Sequence, residues 1–471
     1  MPTTQPAMKP AGSRNWRVLR RAHRFSYRPS LPLRDIACAL LVAFFAMQGA
    51  IPGIAPSQAL ESTNAAPTAW MKVGGIASQL LVDGLIALFL LTRGRLLSRC
   101  GRAMQYAAPL AIFAVVSTLW SVDPLLTARR SLPFALAGLF GLWFAATFSQ
   151  QRQRRILWMA MIALALGTIV LAVFLPKMGL DHSPGHASDW QGVFTQKNAC
   201  GRMMVLATAA VLSERRIGAA KLASLALFLF VLAMSGSRGA WAIEAIVFAL
   251  AFLLRLMRRM EGRSRVLFSC AVIAAGGVAA IVALTWLREI TALMGRDATL
   301  SGRTAIWKQV WRFIALRPLQ GYGYAAFWQG IHGESFKVVV AVRFIVFHAH
   351  NGFLEIWLEL GAIGLLLFLL SYLRAWRRLW PMLRRGEIDR IAWPLFVLVL
   401  IALYDLDENT LLIYNGLFWV LYVAAISSIE LLCRHSEAER HGEASRPTLA
   451  LHPSSTLPHG LPHAPGPALS Y

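Results

Sequence analysis

Cysteine is scarce in this chain: Cys38, Cys100, Cys200, Cys270 and Cys433 are scattered over 471 residues, with no CxxC spacing. That excludes a disulfide framework and a cysteine-based zinc site. Acidic residues are scarce as well, 23 against 47 lysines and arginines, for a formal charge of +24. A nucleic-acid binder would gather such an excess on one face. Here it lies in short blocks between apolar runs, so no nucleic-acid partner is expected. No convincing A-x-A-like cleavage site follows the basic arm ahead of the first apolar run, and no inverted repeat of the transporter kind is visible. The tail 436–471 lacks apolar periodicity, and its Pro, Ser and His content reads as low complexity rather than a metal-binding tract.

Apolar sequence is what the chain has most of. It is 57% hydrophobic, with a mean hydropathy of +0.53. Apolar runs recur at 35–54, 73–92, 105–122, 130–148, 156–175, 197–213, 219–235, 238–255, 266–286, 350–372, 391–407 and 411–432. They predict an all-α polytopic membrane bundle of about twelve transmembrane helices. The basic blocks Arg14–Arg28, Arg93–Arg102, Arg152–Arg155, Glu214–Lys221, Arg255–Arg265 and Arg374–Arg390 then all fall on one side. The positive-inside rule makes that side cytoplasmic, along with both termini. The domain plan is a cytoplasmic basic arm (1–34), nine transmembrane helices (35–286), a long outer loop containing amphipathic helices (287–349), three more helices (350–432) and a disordered cytoplasmic tail (433–471).

Basic residues on the outer side run against that bias. Arg129, Arg130, Lys197, Arg238 and Arg303 are such residues; each also reads as a snorkelling anchor. In the outer loop, Ile306, Val310, Phe313 and Ile314 follow helical spacing, with Trp307 and Trp311 alongside. Thr299 or Ser301 caps this helix and Pro318 ends it, which fits an amphipathic helix lying on the membrane surface. Arg303 in its first turn opposes the helix dipole by a few tenths of a kcal/mol up to about 1. A phosphate bound there would receive both the guanidinium and free backbone N–H groups; a surface arginine beside headgroups is the plainer reading.

Gly321-Tyr-Gly-Tyr324 permits a tight turn, with Tyr322 and Tyr324 able to stack on sugars or anchor at the interface. His332 and His348 read as ordinary loop histidines. His350 differs, because Asn351 and a helix start fix its position, and an imidazole with a pKa near 6.5 suits proton abstraction. A capping or structural histidine is the alternative. Glu355 and Glu359, one turn apart in an apolar span, together with Asp83 and Glu244, are costly in a membrane and are expected to face the bundle interior. They keep a proton-coupled carrier in view. Asp405-Leu-Asp407 has the form of a metal-binding DxD, but with Glu408 it reads as a helix end at the outer interface, and no metal is assigned.

Several motifs coincide with one family. His348-Ala-His-Asn-Gly-Phe-Leu-Glu-Ile-Trp-Leu-Glu-Leu-Gly-Ala-Ile-Gly364 resembles the signature of the bacterial O-antigen ligase and polymerase superfamily. Thr299-Leu-Ser-Gly-Arg-Thr-Ala-Ile-Trp307 and Arg317-Pro-Leu-Gln-Gly-Tyr-Gly323 resemble the stretch before it. Gly192-Val-Phe-Thr-Gln-Lys-Asn198, Ser235-Gly-Ser-Arg238 and Trp120-Ser-Val-Asp-Pro124 fit in order and rough spacing. The likeness covers about 105–432 and is nearest to the exopolysaccharide-production branch, with its succinoglycan-type polymerisation.

The resemblance implies a metal-independent, inverting glycosyltransferase of a bacterial inner membrane, without cofactors and active at the periplasmic face. Its implied donor is an undecaprenyl-pyrophosphate-linked glycan and its acceptor another glycan; other polysaccharide assembly and export proteins are implied partners. Carried over by position, the catalytic residues are His350, Arg303 and Arg238. Lys197, Asn198 and Asn351 bind substrate, and Tyr322, Tyr324 and Trp307 shape a sugar channel. The alternatives are a ligase that transfers glycan to lipid A core, a lipid-linked glycan transporter or flippase, and a non-catalytic scaffold.

Overall fold

Helix starts are written into the sequence as side-chain caps. Asp123 accepts from the Leu126 N–H at 3.0 Å with Pro124 at the first helical position. Ser149 accepts from Arg152 N–H, and Asn351 from Leu354 N–H at 3.0 Å. Such caps satisfy backbone donors that a helix leaves open. The structure, a computed structural model, describes residues 33–54, 68–93, 101–182, 188–285 and 302–444. The basic arm before Leu33, the caps Thr299 and Ser301, and the tail beyond Ala444 lie outside the described residues.

The helices are α1 (Leu33–Ala46), α2 (Ala69–Arg93), α3 (Gly101–Val116), α4 (Pro124–Thr147), α5 (Gln150–Phe174), α6 (Lys197–Leu212) and α7 (Ala219–Met234). They continue as α8 (Arg238–Met257), α9 (Gly262–Thr285), α10 (Arg303–Leu316), α11 (Ser335–Val342), α12 (Gly352–Arg385), α13 (Ile388–Asp407) and α14 (Leu417–Ala444). Each apolar run of the sequence coincides with one of them. Among the described residues, five stretches are long and apolar enough to cross a membrane: Ala69–Thr92, Gln150–Phe174, Arg238–Met257, Gly352–Arg385 and Leu417–Arg434. Ala103–Leu119 and Ala219–Met234 are shorter apolar helices. The chain divides into two compact units, Met1–Leu431 and Leu432–Tyr471. Helix α14 runs on to Ala444, so the first residues of the expected tail are helical.

Helix α6 is the hub of the first unit. Its small residues, among them Ala199, Gly201, Ala207 and Ala210, leave it buried along almost its whole length. It packs against α5, α7, α8 and α13. Large residues could not bring four helices so close to one axis.

The long loop that leads into α12 has a core of its own. Ile306, Val310, Phe313 and Ile314 of α10 are all buried, packed with Tyr322, Phe327, Trp328, Val338 and Val346. This corrects the expectation of a helix resting on the membrane surface: its apolar face is taken up by protein. The periodicity was the right signal, but an apolar stripe does not say what covers it.

The loop is also stitched into α12. Gly361 breaks that helix with φ 66° and ψ −174°. The N–H groups of Ala362 and Ile363 donate instead to the carbonyls of Pro318 and Leu319, at 2.8 and 3.3 Å. In return Tyr322 and Gly323 donate to the carbonyls of Leu358 and Glu359, at 3.1 and 2.9 Å. The loop segment 318–323 thus replaces a missing helical turn, as backbone groups in apolar surroundings require. Gly321, at φ 68°, leaves no room for a Cβ against the Glu359 backbone, so a glycine is needed there.

Candidate active site

Three helices begin with a basic residue: Lys197 on α6, Arg238 on α8 and Arg303 on α10. The start of α12 lies beside them, and all four starts gather around the C-terminal end of α13. Asp407 ends that helix and Glu408 caps it. Partial positive charge at helix N-termini favours anions there. The resident anions are Asp407, Glu408 and Asp189.

Glu408 is the centre of the cluster, its side chain only 3% exposed. Its Oε2 is 3.2 Å from His350 Nδ1 and 3.6 Å from His348 Nε2. Its Oε1 accepts from Asn198 Nδ2 at 3.2 Å and lies 3.4 Å from Arg303 NH2. Arg303 NH1 donates to Asp407 Oδ1 at 2.5 Å. Asn198 also accepts from Ser237 Oγ at 3.0 Å, which ties in the turn before Arg238. Gly239, just after Arg238, has Asp407 where a Cβ would sit. Lys197 pairs with Asp189 at 2.6 Å.

Backbone geometry aims His350. The residue sits at φ 49°, a left-handed conformation that side chains rarely adopt. The preceding peptide is clamped on both sides: Ala349 N–H donates to Glu355 at 2.7 Å, and the Ala349 carbonyl accepts from Trp307 Nε1 at 2.9 Å. His350 N–H donates to His348 Nδ1 at 3.2 Å, and the two rings lie 4.0 Å apart. Strain of this kind persists only where surrounding bonds over-determine it.

The network assigns the histidine tautomers. His348 accepts at Nδ1, so its proton is on Nε2, facing Glu408. Its pKa is pushed down to about 3 by burial, reinforced by His350 and opposed by Glu408. Burial acts to raise the Glu408 carboxyl, but His350, His348 and Arg303 outweigh it and hold it below the usual carboxylate range. An ionised Glu408 accepts the Nδ1 proton of His350. That leaves the Nε2 lone pair of His350 as a base, the arrangement of a histidine oriented by a carboxylate. His348, His350 and Glu408 also place ligand atoms within 4.8 Å of one another, so this set can hold a metal ion.

Of the expected site residues, His350, Arg303 and Asn198 each contact Glu408, and Arg238 and Lys197 flank them. Four others have different work. Tyr324 is fully buried, its hydroxyl donating to the Leu412 carbonyl at 2.6 Å. Tyr322 is 3% exposed and donates to the Phe313 carbonyl at 3.1 Å. Both are packing residues in this structure, not walls of a sugar channel. Trp307 holds Ala349, and Asn351 caps α12 with its side chain. The sequence reading missed Glu408, Asp407 and His348. Its one clue was the acidic group Asp405-Leu-Asp-Glu408 at the end of an apolar run.

The fold and this cluster define a helical membrane protein with a charged site at one end of its bundle. Residues 223–369 match the family described as O-antigen ligase, a range that includes Arg238, Arg303 and His350. The chain is 30% identical over 337 residues to the exopolysaccharide production protein ExoQ of Rhizobium meliloti (strain 1021), spanning 68% of this chain and 71% of that protein. The chain belongs to the O-antigen ligase and polymerase superfamily, in its exopolysaccharide branch.

Proposed function

We propose that this protein is a twelve-helix inner-membrane glycosyltransferase that joins undecaprenyl-pyrophosphate-linked repeat units into an exopolysaccharide at the periplasmic face. The observation that carries the reading is the meeting of His350 and Arg303, from distant parts of the chain, on the buried Glu408. Support for the sidedness comes from the site itself: 188–196, 235–238, 302–303, 348–351 and 405–411 contribute to one cluster, and the twelve-span count expected from the sequence would assign all five to one side, the outer.

In this reading the lipid enters between spans with its diphosphate at the helix starts. Arg303 and Arg238 bear on the diphosphate. Guanidinium N–H donors outnumber the two bonds Arg303 makes to Asp407 and Glu408, so it can hold those residues and an oxyanion together. His350 Nε2 takes the proton of an acceptor hydroxyl. The oxygen attacks the anomeric carbon, the bond to the diphosphate breaks with inversion, and the arginines stabilise the charge on the departing lipid diphosphate.

The test is purified protein in liposomes with lipid-linked repeat units, read as released undecaprenyl diphosphate and as polymer length. Arg303→Lys is expected to lower turnover by about tenfold or more, because an ammonium cannot span two anions in a planar fork. Turnover within about twofold of wild type would remove the arginine from the charge-stabilising role. The His348, His350 and Glu408 set favours a second reading, in which a metal ion does that work. Chelation is expected to leave turnover unchanged; loss of activity restored by added zinc would establish the metal reading. The family description favours transfer of finished glycan to lipid A core, and glycan recovered on lipid A instead of as polymer would select it.

A further inference from the structure

A second charged cluster lies at the other end of α12. At 1.5 Å per residue, Arg374 is about 33 Å along the helix from Gly352, roughly the thickness of a bilayer's apolar core. The cluster therefore sits at headgroup depth in the leaflet opposite the His350 site. A pocket there is lined by Tyr106 of α3, Ser371, Arg374 and Arg378 of α12, and Ile426 and Glu430 of α14.

The charges in this pocket are unevenly satisfied. Arg374 approaches Glu430 Oε1 through Nε and NH2, each at 3.2 Å, and Arg378 Nε lies 3.4 Å from the same oxygen. The Arg374 guanidinium also lies 3.9 Å from the centre of the Tyr106 ring. Glu430 Oε2 is buried and has no hydrogen-bond partner, although the side chain is only 6% exposed. Two cations and one half-satisfied carboxylate therefore line the same pocket. A ligand that matches them carries an anion for the guanidinium groups and a strong donor for Oε2. Bonds between an ammonium and a carboxylate are shorter and roughly twice as strong as neutral ones.

We propose that this pocket binds the head group of an ethanolamine phospholipid. The phosphate lies against Arg374 and Arg378, and the ammonium donates to Glu430 Oε2. The membrane supplies phospholipid at this depth, and of its head groups this one carries a charged N–H donor next to a single phosphate. Phosphatidylcholine has the phosphate but no N–H. Phosphatidylglycerol offers only neutral hydroxyl donors.

Native mass spectrometry of the full-length detergent-purified protein tests this. It would be run with equimolar phosphatidylethanolamine, phosphatidylcholine and phosphatidylglycerol of identical acyl chains. The ethanolamine lipid is expected to be retained at least about threefold over either competitor. Glu430→Gln is expected to bring it down to the phosphatidylcholine level, and Arg374→Met to lower retention of all three. A measurement on the unaltered protein guards against a folding defect. Stepwise N-methylation of the head group is expected to leave binding largely intact until the third methyl removes the last N–H. Equal retention of the ethanolamine and choline lipids, a preference for phosphatidylglycerol, or an ethanolamine preference unchanged in Glu430→Gln would each overturn the assignment.

Discussion

His350→Ala is expected to insert at wild-type levels and to release no measurable undecaprenyl diphosphate from lipid-linked repeat units. General-base catalysis is worth roughly 10²–10⁴ in rate. A polymerase slowed by that factor leaves repeat units unjoined. The cost to folding is expected to be small, because the imidazole is 28% exposed. It is held in place by neighbours rather than holding them: the Glu355 and Trp307 bonds to Ala349 do not involve its side chain. Alanine at φ 49° is strained, so His350→Asn, a residue that tolerates the left-handed region, provides the matched control and is expected to be equally inactive. Polymer of normal length from either variant would take the histidine out of the mechanism.

The second large effect is expected at a residue the family motif does not contain. Glu408→Gln keeps the volume and one acceptor oxygen but exchanges a carboxylate for an amide. If the amide NH₂ faces His350 Nδ1, the imidazole must accept there and carry its proton on Nε2, the nitrogen that has to be free. Turnover is expected to fall by about 10²–10⁴, as when an orienting carboxylate is made neutral in a catalytic triad. The Michaelis constant is expected to change far less than turnover, since Glu408 is buried behind the histidine. Turnover within about threefold of wild type would sink the orienting role. Glu408→Ala is a poorer probe, because removing one member of a buried charged pair costs about 3–5 kcal/mol and unfolding would mask the chemistry. Acid stability offers a separate check. The folded Glu408 carboxyl titrates below its unfolded value, so its contribution is present above the usual carboxylate range and fades as pH falls. Glu408→Gln is expected to flatten that acid-side decline in melting temperature.

Helix positions were legible because apolar runs, caps and breakers are local. Asn351, Pro318 and the Ile306–Ile314 stripe each marked an element that is present. The position of His350 was legible for the same reason: it stands directly before a helix start. Glu408 was not: it becomes meaningful only when the end of α13 returns to the side where α6, α8 and α10 begin, and that is a tertiary fact. The tyrosines failed in the opposite direction. Gly321-Tyr-Gly-Tyr324 has the composition of a ligand-binding turn, but Gly321 serves the approach to α12, Gly323 the approach to Ser121, and the Tyr322 ring packs on Phe327. Trp307 was expected to shape a sugar channel, and here its indole N–H holds the Ala349 carbonyl; spacing reveals neighbours and not hydrogen bonds.

The exchange of backbone bonds across the break at Gly361 limits how this enzyme can open. Segment 318–323 supplies both donors and acceptors to a helix interrupted in a long apolar stretch. Swinging it outward would strand those groups where no water can take them. That part of the loop is therefore a fixed wall and not a lid, and in the proposed polymerisation a growing glycan would thread past it instead of lifting it.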